Sequence, residues 1–119
     1  MLFRSDEDDT YAEFVSLALL PLPGLNKTLD TYVAEFSKDI PFTHKNAVIR
    51  QNEKMTKSGK PCYVLKYAGK FSEFPLAYLQ YIWFENDTVY TLTYLAQQGS
   101  FEKWETTARR IMDSFTFKP

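Results

Sequence analysis

The chain has 119 residues, the size of one ordinary domain, and 45% are hydrophobic, enough to bury a core. The net charge is −1 and the lysines stand singly from Lys27 to Lys118, which argues against a nucleic-acid binder with its basic face. Cys62 is the only cysteine, which excludes an internal disulfide, and the longest apolar run, Leu17 to Pro23, falls far short of the ~20 residues that span a bilayer.

Met1 to Arg4 enters apolar sequence at once and is predicted as a first strand. Ser5 to Thr10 forms an acidic turn. Tyr11 to Leu22 follows as a strand, with Phe14, Ser16, Ala18 and Leu20 on one face and Val15, Leu17 and Leu19 on the other. Apolar residues on both faces predict cover on both sides. Pro21, Pro23 and Gly24 stop the strand. Thr28 is placed as a helix N-cap with Asp30 in the first turn. Leu29, Tyr32, Val33, Phe36 and Ile40 then recur at helical spacing. Pro41 is expected to end that helix, because proline disfavours the helical region at the residue before it.

Ala47 to Thr56 is a more polar strand, Ser58-Gly59-Lys60 a turn, and Cys62 to Ala68 the return strand of a hairpin. A loop containing Gly69, Ser72 and Pro75 leads to Leu76 to Phe84, apolar on both faces and therefore expected at the centre of the sheet. Glu85-Asn86-Asp87 turns the chain into Thr88 to Ala96. Gly99 breaks that strand and Ser100 is predicted to cap a second helix, whose stripe is Phe101, Trp104, Ala108, Ile111, Met112 and Phe115. Phe117 continues the stripe as a short extended tail. Arg109-Arg110 is the only basic pair, two cations near a helix C-terminus where the macrodipole favours them. The predicted fold is α+β over residues 1–119: an antiparallel sheet of two leading strands and two hairpins, covered by a helix on each face as an α/β/α sandwich.

The 8 Tyr, 10 Phe and 2 Trp suit a pleated, half-buried sheet better than a helical bundle. Tyr63, Tyr67, Tyr78, Tyr81, Trp83, Tyr90 and Tyr94 are candidates to line a small-molecule cleft; the simpler assignment is core and cross-strand ring pairs. No catalytic constellation stands out. The only His, His44, and Cys62 could form a nucleophile–base dyad only if the fold joined them. A lone His cannot build a structural zinc site; His44 with Asp39 is the weak metal candidate, against an ordinary surface histidine. Asp6, Glu7, Asp8 and Asp9 lack the central glycine of a calcium loop, so they form a solvated acidic turn or a docking patch for a basic partner. No cofactor motif is present: the 4 glycines make no phosphate-cradling loop. No cationic start followed by an apolar stretch marks a secretory signal in the chain as it stands.

Gly59-Lys60-Pro61-Cys62-Tyr63-Val64-Leu65-Lys66-Tyr67 and Val89 to Ala96 resemble, respectively, the G-x-P-x-Y-x-L-x-Y hairpin strand and the VYTLTYTA strand of the PsbP-like superfamily. Phe101 with Ile111-Met112-Asp113-Ser114-Phe115 is similar to its terminal helix, and Thr28 to Val33 to its T-L-D-E-Y helix start. The resemblance implies an α/β/α sandwich shared by an extrinsic photosystem II subunit, a Ran-binding import factor and bacterial lipoproteins of the DcrB type. It implies a binding or assembly role, a protein partner, no enzymatic activity, no carried-over catalytic residue, and a family that is often extracytoplasmic. Members usually begin with an extra strand and a Y-P-x-x-W segment that this chain lacks. A shortened N-terminus would leave a sheet edge open to pairing, so a homodimer or swapped assembly is expected.

Overall fold

The computed structural model describes residues 14–22 and 27–117. Five strands and two helices follow one another as β1 (Phe14–Pro21), α1 (Leu29–Thr43), β2 (Lys45–Lys57), β3 (Lys60–Phe71), β4 (Phe74–Glu85), β5 (Thr88–Gln97) and α2 (Gln98–Asp113). The strands form one antiparallel sheet in the order β1-β5-β4-β3-β2. β4 occupies the centre, as its two apolar faces require. The expected strand over residues 1–4 and the acidic turn over 5–10 lie outside the described residues.

Two-residue turns join β2 to β3, β3 to β4, and β4 to β5. Ser58-Gly59 and Asn86-Asp87 have positive φ at both central residues, the backbone that matches strand twist in tight hairpins. The β3–β4 connection is a third hairpin, and this corrects the expected loop. Only Ser72-Glu73 turn there; Gly69 and Pro75 lie inside strands. Pro75 is tolerated because it pairs with Lys70 on one side, while pairing with β5 starts only at Leu76. Gly69 is needed because a Cβ there would meet the His44 Cβ at 2.8 Å.

The strand alternation sorts the core into two clusters. Val15, Cys62, Val64, Ala77, Leu79, Tyr81, Trp83, Leu92, Tyr94 and Ala96 pack with Phe101, Ala108 and Met112 of α2. Leu65, Tyr67, Ile82 and Val89 pack with Leu29, Val33 and Ile40 of α1. Consecutive residues such as Val64 and Leu65, or Ile82 and Trp83, therefore serve different helices. The tail after α2 adds Phe115 and Phe117, whose rings stand 5.2 and 5.4 Å from Trp83.

Three other expectations need correction. α1 runs through Pro41 to Thr43, because the Ile40 side chain is buried and its carbonyl accepts from both His44 N (3.0 Å) and Thr43 Oγ1 (3.1 Å). Thr28 caps that helix as expected, accepting from Thr31 N at 3.1 Å. α2 begins at Gln98 directly after β5, so Ser100 sits in its first turn and donates to Gln97 O instead of capping. This start places Phe101 in a stack on Tyr94 at 4.7 Å, with Tyr94 Oη donating to Phe101 O. Finally, among the described residues β1 is an edge strand paired only with β5. Beyond Val15 its large side chains are not covered: Leu17, Leu19 and Leu20 are 40%, 52% and 48% exposed.

Candidate functional site

The α1 sequence puts Tyr32, Glu35, Phe36, Asp39 and Thr43 on one flank, three or four residues apart, beside the buried stripe of Leu29, Val33 and Ile40. That flank and the sheet enclose an open cavity of about 680 Å³. Leu20 and Leu22 close it from the β1 end, Lys27 stands at the start of α1, and His44, Tyr67 and Phe71 complete the wall. Leu22 is fixed there by its backbone N–H, which donates to Asp87 O at 2.8 Å. The volume lies within the range of ligand pockets, and the wall is apolar with a few polar groups, as such pockets are.

His44 occupies the corner where α1 meets the sheet. Its ring lies edge-on to Tyr67 at 6.0 Å and to Tyr78 at 5.1 Å, and Phe71 is 5.6 Å away. Gly69 leaves the space for this approach. Thr43 Oγ1 donates its one proton to Ile40 O, so it accepts from His44 Nδ1–H at 2.8 Å. Nε2 is then the bare nitrogen and accepts the Tyr78 hydroxyl at 2.8 Å. Burial lowers the His44 pKa below its usual 6.5, so the ring is neutral at pH 7. Burial also raises the hydroxyl pKa of Tyr67, which stacks on Tyr78 at 4.6 Å.

The seven candidate cleft rings do not meet in one place. Tyr63, Tyr67 and Tyr78 belong with the α1 cluster; Tyr81, Trp83, Tyr90 and Tyr94 belong with the α2 cluster. Tyr81, Trp83 and Tyr94 are completely buried, so they are core. Tyr81 Oη donates to Asp113 Oδ1 at 2.7 Å, and Trp83 Nε1 donates to Lys57 O at 3.1 Å, which satisfies their polar ends. Of the seven, Tyr67 lines the cavity. Tyr63 is outside it, donating to Asp30 Oδ1 at 2.6 Å, a bond that with Lys54 holds the Asp30 carboxyl below its usual pKa.

Asp39 and His44 both line the cavity, but no group of three metal-ligating side chains occurs among the described residues. Cys62 and His44 are on opposite faces of the sheet, so they form no dyad. Burial pushes the Cys62 thiol up to about 12, which keeps it protonated and unreactive at neutral pH. Asp6, Glu7, Asp8 and Asp9 lie outside the described residues.

Sequence reasoning missed Lys27, Glu35, Thr43 and Phe71 as wall residues and took Tyr32 and Phe36 for core. The signal was present in the width of the stripe. Five apolar positions are more than one helix face can bury against this sheet, and Tyr32 and Phe36 end half-buried at its margin.

The five-stranded antiparallel sheet with two helices is the α+β fold of PsbP-like proteins. The PsbP family profile matches residues 25–117, and the chain belongs to the PsbP family. A Pseudomonas aeruginosa protein of unknown function, described as a putative regulator, has the same fold: TM-score 0.75, 13% identity, covering 100% of this chain and 97% of its own. Cyanobacterial PsbP (CyanoP) from Synechocystis gives 0.61 at 17% identity, covering 88% of this chain and 68% of that one. LpqN of Mycobacterium tuberculosis, involved in cell envelope biogenesis, gives 0.60 at 14% identity, over 98% and 68%. No curated protein matches the chain in sequence. No helix among the described residues is long and apolar enough to cross a membrane.

Proposed function

We propose that this PsbP-family domain is a non-catalytic binding module and that the cavity beneath α1 receives its ligand. The observation that carries this reading is the 680 Å³ space itself, walled by Tyr32, Phe36, Tyr67 and Phe71 and bordered by Thr43, His44 and three charged groups. A domain that spent these rings on stability alone would bury all of them, as it buries Tyr67, Tyr81, Trp83 and Tyr94, whereas Tyr32 and Phe36 stay half-buried and Phe71 is exposed. The accompanying layer order is helix, sheet, helix, supported by the alternation of the two core clusters. A fragment titration followed by ¹⁵N–¹H NMR tests the site. Shifts are expected at residues 32, 35, 36, 39, 43, 67 and 71. Shifts confined to other surfaces would remove the cavity from consideration.

A second reading, docking of a protein chain, is favoured by the β1 edge. β1 carries no charged residue and exposes Leu17, Leu19 and Leu20, while the opposite edge, β2, carries Lys45, Arg50, Glu53, Lys54 and Lys57 and two register shifts. Charge and bulges protect an edge strand; bare leucines invite another strand. A second copy pairing through β1 gives a homodimer. Light scattering at millimolar concentration is expected to find the dimer and to lose it in Leu19→Lys, whose own fold stability changes by no more than about 0.5 kcal/mol. A wild-type monomer at that concentration refutes this second reading.

A further inference from the structure

We infer that the α1 cavity selects a small organic cation, a protonated or quaternary amine on an aryl or alkyl body, with Asp39 as its counter-ion. The inference rests on the cavity being a ligand site, as proposed above, and concerns the charge of what enters it.

The charge balance of the wall points to a cation. Its ionisable members are Lys27, Glu35, Asp39 and His44. Lys27 pairs with Glu35 across the start of α1, so these two cancel. His44 is neutral and both its ring nitrogens are already engaged, one with Thr43 and one with Tyr78. Asp39 has no ion pair or hydrogen bond with another described residue. Among the described residues one carboxylate is thus left over, at the border of an apolar wall, and the one lysine of that wall, Lys27, is already paired with Glu35. The rings agree with that sign. Tyr32, Phe36, Tyr67 and Phe71 present aromatic surfaces, whose faces attract ammonium groups and repel carboxylates. Tyr32 and Phe36 stand edge to face at 6.5 Å, about two turns and one turn before Asp39 and on the same flank. An amine lying over these rings would meet Asp39 at its charged end, while its body replaced water along Leu20, Leu22 and Ile40.

The experiment compares three probes of nearly equal shape and different charge: phenethylamine, 2-phenylethanol and 3-phenylpropionate. Affinities come from NMR titration of the full chain at neutral pH and low salt. The amine is expected to bind about fivefold or more tighter than the alcohol, and the carboxylate weakest, as a partly exposed cation–π contact and counter-ion imply. Asp39→Asn, at an exposed site, should fold normally and bring the amine to the level of the alcohol without changing the alcohol. Phe36→Leu keeps the bulk, removes a ring, and should weaken the amine more than the alcohol. If the carboxylate binds as well as the amine, or Asp39→Asn leaves the amine unchanged, the cation preference is wrong while the cavity stands as a site. If none of the three binds there, both conclusions fall.

Discussion

The two core clusters, one packed with each helix, use the same residue types in opposite ways. Under α2, Tyr81, Trp83 and Tyr94 are sealed, with Phe115 and Phe117 of the tail laid against Trp83 and Tyr90. Under α1, Tyr32 and Phe36 remain half-buried and Phe71 is exposed, around a space of about 680 Å³. Both helices are of similar length, 15 and 16 residues, so length does not explain the difference. What the α2 side has is a third element, the tail, fixed by Ser58 Oγ donating to Phe115 O. No such closing segment is found on the α1 side among the described residues. Trp83 becomes core, with Tyr90 packed against its cluster, where the tail closes over them.

The strongest way to break the comparison is to delete one ring from each side. Trp83→Ala is expected to cost about 3–5 kcal/mol in denaturant unfolding, since it empties a sealed site. Phe36→Ala, at the cavity margin, should cost about 1 kcal/mol, because only the covered part of the ring is lost. Equal costs would mean that the two sides are packed alike. Next in size, Gly69→Ala inserts a methyl 2.8 Å from the His44 Cβ and should destabilise by about 1–3 kcal/mol. It should also displace the His44 ring from Tyr78, visible as a changed imidazole NMR signal; an unmoved ring would contradict the contact.

The smallest effect is a pH dependence. The folded His44 pKa lies below its unfolded value near 6.5, so the unfolded chain binds the extra proton first. His44 therefore contributes stability fully above about pH 6.5 and loses it as pH falls through the folded value. Thermal melts of the wild type should drop over this window more steeply than those of His44→Gln. The chain has one histidine, so parallel slopes would dismiss the burial argument. The carboxylates held low, Asp30 and Glu105, lose their share only in the more acidic carboxylate range.

Most of the sheet was legible in the sequence because period-2 alternation and turn chemistry are local signals. β4 and β5 fall where residues 76–84 and 88–96 predicted them, and Thr28 caps α1. The misses are places where a particular contact overrode a general rule. Gly69 looks like a loop glycine, but it lies in β3 because His44 needs its missing side chain. Pro41 looks like a stop, but Thr43 and His44 both bond back to Ile40. The cavity was the least legible part. Sequence spacing places Tyr63, Tyr67 and Tyr78 together and cannot say that Tyr32, Phe36 and Asp39 stand opposite Tyr67 across the sheet–helix gap.

The unbroken run of tight turns from β2 to β5 also sets an order in time. Each of these pairings closes a short stretch of chain, so the four strands can zip up one after another at little entropic cost. β1 must instead find β5 from the far end of the chain, with Phe14 opposite Leu95. Pulse-labelled hydrogen exchange during refolding should protect β3 and β4 amides before those of β1. Until β1 arrives, the outer rim of β5 stands vacant, and a leucine-rich strand from a neighbouring chain can take the place first.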